Sequence, residues 1–131
     1  MPSIFSRIVA GEIPSHKVAE SELFYAFLDI RPLAKGHTLV IPKQEIDYVF
    51  DIDDDLLAGL MQFAKKVAKK IEQVVPCSRI GVSVIGLEVP HAHVHLIPIN
   101  SVADMNFGRP HLEMTQEELA ALAEQIANAL V

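Results

Sequence analysis

The chain has one cysteine, Cys77, among 131 residues. No internal disulfide is available, which fits a reducing, cytoplasmic setting. No apolar run approaches the roughly 20 residues of a membrane span, so no membrane partner is expected. The opening MPSIFSRIVAGEIP lacks the basic start, apolar stretch and small-residue cleavage site of a secretory leader, and none is expected. Positive charge is scarce: 11 Lys and Arg stand against 17 Asp and Glu, for a formal net charge of −6. That balance argues against a broad grip on a nucleic-acid backbone, while leaving open a small anionic ligand held locally. There is no repeat, low-complexity tract or long linker. Half of the residues are apolar, which suits one domain spanning 1–131 around one core.

The apolar spacing sets the element order. Ser3 is a candidate N-cap for a first helix with Ile4, Phe5, Ile8 and Val9 on one face, stopped by Gly11. HKVAES and LFYAFLD read as two strands around a tight turn at Ser21–Glu22, and both sides of the second are apolar, as in a strand covered on both faces. HTLVIP is a third strand closed by Pro42. Residues 55–75 carry a wide apolar stripe running from Leu56 through Leu60, Met61, Ala64, Val67 and Ile71 to Val75, with Asp53–Asp55 at its start and Pro76 as its stop. RIGVSVIG and HAHVHLIPI are the fourth and fifth strands. Thr115 and Glu118 have capping-box spacing and open a last helix to about 130, with Leu119, Leu122, Ala123, Ile126 and Leu130 on its buried face. The expected class is α+β: a five-stranded, mostly antiparallel sheet with a long central helix and N- and C-terminal helices.

Within PHAHVHLIP, three of the six histidines fall at alternate positions, His91, His93 and His95. On a strand they share a face, while Ala92, Val94 and Leu96 take the other. One reading is a polar outer face, although Thr, Lys or Glu would fill that role more naturally. A second is a metal site, but His91 and His95 would lie roughly 13 Å apart along a straight strand. A third is chemistry on phosphorus. A neutral imidazole is a good nucleophile; a second histidine ~6.6 Å along the face reaches the leaving group or a phosphoryl oxygen; a third orients the nucleophile or fixes its tautomer.

The run His91-Ala92-His93-Val94-His95-Leu96-Ile97 resembles the His-φ-His-φ-His-φ-φ motif (φ apolar) of the histidine triad (HIT) superfamily of nucleotide hydrolases and transferases. IFSRIVAGEIPSHKVAES is similar to that family's N-terminal helix and first strand, and AFLDIRPLAKGHTLVIPK to its nucleoside-binding strand and turn. The resemblance spans about residues 3–98 and is strongest to the Hint branch of histidine triad nucleotide-binding proteins. It implies a HIT-like homodimer that cleaves a nucleoside 5′-phosphate, AMP or GMP, from an amine or polyphosphate leaving group through a nucleotidyl-histidine, with no cofactor and no catalytic metal. By resemblance His93 is the nucleophile, and His95 contacts the α-phosphate and assists the leaving group. His91 orients His93, partly through its carbonyl, and His37 stands near the triad. Asp29 matches the acid that holds both ribose hydroxyls, and Phe5, Ile8, Phe27 and Ile30 match the apolar walls around a purine base.

The chain also departs from that pattern. Leu87 stands where a glutamine is usual before the triad and Glu88 where a small hydroxyl residue is common, so a phosphate-binding donor is lost. Ser83 is a candidate replacement. Ser6 and Glu45 stand where zinc-binding bacterial members carry a cysteine and a histidine, and no structural zinc is expected. Ile99 replaces a usual arginine. His111 in the tail and His16 in a turn read as surface histidines, and Cys77 as a packed thiol. The alternative is a nucleotide-binding protein with little turnover; a metal-dependent hydrolase and a scaffold that does not use the cleft are further alternatives.

Overall fold

The computed structural model describes residues 2–131. Helix α1 (Ile4–Val9) leads into strands β1 (Lys17–Glu20), β2 (Phe24–Leu28) and β3 (Thr38–Pro42); a short 3-10 turn, Val49–Asp51, precedes helix α2 (Asp54–Val74). Strands β4 (Arg79–Ser83) and β5 (Val94–Ile99), a second 3-10 turn at Val102–Met105 and helix α3 (Gln116–Asn128) complete the chain. The five strands form one antiparallel sheet in the order β1-β2-β3-β5-β4. The expected α+β class and sheet are present. No described helix is long and apolar enough to cross a membrane.

The side-chain period of two sorts each central strand between two cores. Phe24, Ala26 and Leu28 of β2, Val40 of β3 and Val94 and Leu96 of β5 face α2 and α3. There they meet Leu60, Ala64, Val67 and Ile71 of α2 and Leu119, Leu122, Ala123 and Ile126 of α3. Each large aliphatic side chain so buried stabilises the fold by roughly 1.5–3 kcal/mol. The opposite face is smaller: Tyr25, Phe27, Leu39 and Ile41 pack on Phe5 and Ile8 of α1. The two-sided burial expected for β2 follows from this arrangement. Local chemistry sets the helix starts. Asp53 Oδ1 accepts from Leu56 N–H at 2.8 Å, and Thr115 and Glu118 form the reciprocal capping box.

Several sequence expectations need correction. Strand β5 begins at Val94 and not at His91. The register Val40↔Val94 sets Ala92 against Pro42, which has no N–H for the ladder, and the pairing with β3 stops at Val94. Alternation nevertheless persists, because Ala92 N–H bonds Ile46 O at 2.7 Å and its methyl enters the helix-side core. β4 ends at Ser83, opposite His95, where the ladder with β5 closes. Ile4 and Met61 are exposed, and Leu130 lies beyond the end of α3 at 90% exposure.

Gly36 is one place where the fold needs glycine. Its φ is +93°, and a Cβ there would meet Val75 Cγ2 at 3.0 Å, Pro98 Cγ at 3.3 Å and Ile71 Cγ2 at 3.4 Å. Left-handed strain and overpacking add. Gly36→Ala is expected to lose about 2–4 kcal/mol of stability, read as a lower urea midpoint at unchanged slope. An unchanged midpoint would refute it.

Candidate active site

The histidines lie on the α1 side of the sheet, away from α2 and α3. All three triad members and His37 are buried, and their hydrogen bonds assign their protons. His91 Nε2–H donates to Pro42 O at 2.8 Å, so its Nδ1 accepts, from Ser3 Oγ at 2.8 Å. His93 Nδ1–H donates to His91 O at 2.7 Å. The Nε2 of His93 therefore carries a lone pair. The Phe5 ring meets the His93 ring edge to face, centroids 5.0 Å apart, and holds the imidazole from one side.

A second chain of bonds fixes His95. Leu33 N–H donates to His37 Nδ1 at 3.0 Å. That nitrogen must be unprotonated, so the proton of His37 sits on Nε2. It points at His95 Nδ1, 2.9 Å away, and pushes the His95 proton onto Nε2. Burial lowers both histidines, His37 to about 3 and His95 to about 4, with neighbouring imidazoles adding to the effect. Both are neutral near pH 7. The 3.6 Å approach of Asp29 Oδ2 to His37 Nε2 is then a polar contact and not an ion pair.

Asp29 follows β2 at the start of a turn closed by its own N–H on His37 O. Its Oδ1 accepts from Arg31 N–H at 2.8 Å. Burial raises its pKa against that bond. Ligating atoms of Asp29, His37 and His95 lie within 4.8 Å of one another, a spacing an ion can bridge. The Leu33 N–H opposes it, because it leaves a proton where a metal would need the His37 lone pair.

These groups open onto a cavity of about 390 Å³, within the range of small-molecule sites. His93, His95, His37 and Asp29 line it. Arg31 and Leu33 come from the turn after β2, Ile85 through Glu88 from the loop before the triad, and Phe107, Arg109 and His111 from the tail. Leu112 N–H bonds Pro32 O at 2.7 Å and ties that tail to the turn. The Phe107 ring meets His95 edge to face at 4.8 Å. An aromatic between Asn106 and Gly108 carries no sequence signal for this role.

The structure separates the sequence-derived site residues into groups. His93, His95, His37 and Asp29 converge on the cavity; His91 lies behind His93 and acts on it through a carbonyl. Phe5 packs on His91 and His93, while Ile8 and Phe27 lie deeper in the small core. None of these three lines the cavity, nor does Ile30, whose side chain is 61% exposed. The apolar wall is formed instead by Leu33, Ile85, Leu87 and Phe107. Leu87 and Glu88 line the cavity as the loop departure suggests. His111 reaches the cavity, whereas His16 bonds Gln116 Oε1 at 2.8 Å elsewhere.

Residues 10–102 match the family profile described as the HIT domain. The chain is 38% identical over 133 residues to adenosine 5′-monophosphoramidase hnt1 of Schizosaccharomyces pombe, covering 99% of each. It is 37% identical over 126 residues to adenosine 5′-monophosphoramidase HNT1 of Saccharomyces cerevisiae, covering 94% of this chain and 79% of that one. Among solved structures, it is similar to a Hit-like protein from Bartonella henselae, with TM-score 0.83 and 33% identity over 98% of this chain and 96% of that one.

Proposed function

Because the chain belongs to the HIT domain family, we propose that it is a nucleotide hydrolase that releases AMP from an amine or polyphosphate leaving group through a nucleotidyl-histidine. One observation carries this reading: the unprotonated Nε2 of His93 opens on a cavity beside His95, whose own proton lies on Nε2. His93 attacks the α-phosphorus as the bond to the leaving group breaks. His95 Nε2–H hydrogen-bonds the phosphoryl oxygen or the departing atom, where charge develops. A departing amine takes a proton from solvent and a polyphosphate leaves as its anion; water then attacks phosphorus and loses a proton to solvent, the bond to His93 breaks, and its lone pair returns. The carboxylate of Asp29 accepts both ribose hydroxyls.

Relatives named adenosine 5′-monophosphoramidase support adenosine over guanosine and an amine leaving group over a polyphosphate. The reading needs no cofactor, since imidazole donors carry the phosphoryl charge. It includes a cytoplasmic homodimer: β4 is an edge strand with Val82 exposed on it, a surface suited to a second copy.

The test is release of AMP, followed by chromatography, from adenosine 5′-phosphoramidate and from a diadenosine polyphosphate. Faster release from the phosphoramidate supports the amine reading. Asp29→Ala is expected to raise KM about 10–100-fold for the ribonucleotide, less for the 2′-deoxy substrate and little for the 2′,3′-dideoxy one. AMP binding without release from either substrate would favour a binding protein, with Leu87 and Glu88 in the cavity as its cause.

A further inference from the structure

The bonds behind His91 run on to a carboxylate at the surface. Ser3 Oγ accepts Ser6 N–H at 3.0 Å, which leaves its own proton for His91 Nδ1. Ser6 Oγ lies 3.4 Å from the same nitrogen and is a rival donor. Its proton goes instead to Glu45 Oε1 at 2.6 Å, which also accepts Ser3 N–H at 2.6 Å. A carboxylate accepts and never donates, so each proton in the chain has one place. Those two bonds hold the Glu45 carboxyl below its usual range, so it is charged near pH 7. Among the described residues Glu45 has no Lys or Arg partner, and its side-chain hydrogen bonds are to these serines.

We propose that Glu45 is a positioning residue for His93. By engaging the Ser6 hydroxyl and the Ser3 amide, it seats Ser3 Oγ on His91 Nδ1, supports the Nε2–H tautomer that Pro42 O sets, and fixes the carbonyl that takes the His93 Nδ1 proton. The chain Glu45–Ser6–Ser3–His91–His93 ties a surface charge to the nucleophile through α1. This deepens the proposed hydrolase reading and rests on His93 being its nucleophile.

The test is long-range proton–nitrogen NMR on histidine-labelled protein, paired with kcat and KM for AMP release. Wild type is expected to show His93 protonated at Nδ1 and His91 at Nε2. In Glu45→Ala the His93 signal moves toward a mixture of tautomers, and kcat falls about tenfold with KM within about twofold, the scale of one lost hydrogen bond in the network. Glu45→Gln keeps an acceptor oxygen and recovers kcat to within about threefold. Unchanged tautomers in Glu45→Ala would overturn the proposal, as would a Gln variant as impaired as the Ala variant. The NMR signal reads His93 whether or not a given substrate turns over, so failure of the hydrolase reading leaves that arm decisive.

Discussion

Protein mixed with an adenosine phosphoramidate and quenched without acid is expected to gain the mass of one nucleotidyl group, and His93→Ala to gain none. The assignment follows from tautomers. His93 gives its Nδ1 proton to His91 O, which leaves Nε2 as its free lone pair at the cavity. His95 lines the same cavity but carries a proton on the nitrogen that is not bonded to His37, and His91 has both ring nitrogens engaged. Only one triad ring is therefore ready to attack. Removing it lowers kcat by at least about 10³-fold. His95→Ala is expected to retain the adduct and form it about 10–100-fold more slowly, since it loses a donor and keeps the nucleophile. An adduct on His93→Ala would move the nucleophile to another residue.

Stability should fall steeply on mild acidification, for a reason rooted in the same residues. Unfolded histidines take up protons near pH 6.5. Folded His37 and His95 resist until about 3 and about 4, because burial disfavours their charged forms. Between those limits the unfolded chain binds more protons than the folded one, so the free energy of unfolding rises with pH. The contribution is complete above the unfolded value and is lost as pH falls from about 6.5 toward 4. Between pH 7 and 5 the two groups together remove about 2–4 kcal/mol. Carboxylates titrate mainly below that window. Urea midpoints at the two pH values measure the loss, and His37→Gln should flatten the slope. A wild-type midpoint that does not move would refute it.

The elements were legible where period and caps agreed. Asp53, Ser3 and Thr115 sit at the helix starts as their side chains suggest, and the double apolar pattern of β2 corresponds to two cores. Partnering was less legible. The alternation of the histidines implies a strand from residue 91, but the ladder stops at Val94, beside a proline of β3 that lies far earlier in the chain. The same limit applies to the site. The positions of Asp29 and His37 followed from resemblance, and the fold brings both to the cavity. Phe107 and Arg109 sit in a segment with no period, held by bonds of Arg109 to Ala103 O and Asp104 and tied to the turn after β2 by Leu112 N–H on Pro32 O. The role of Ser3 in holding His91 joins residues 88 positions apart, and an N-cap serine looks the same in sequence with or without that second bond.

The two sides of the sheet are unequal in a way that bears on motion. α1 has six residues, too few to persist in water by itself, and it covers the histidine face with two buried side chains and one cap. The helical side holds the sheet with twenty-one residues of α2 and thirteen of α3. Lifting α1 uncovers the small cluster and the His91 and His93 rings that Ser3 and Phe5 hold, and this is expected to cost less than global unfolding. Amide exchange in α1 is then governed by that local opening, while β3 exchanges only when the whole molecule opens. Most of the buried apolar side chains lie in one layer and the histidine site in the other.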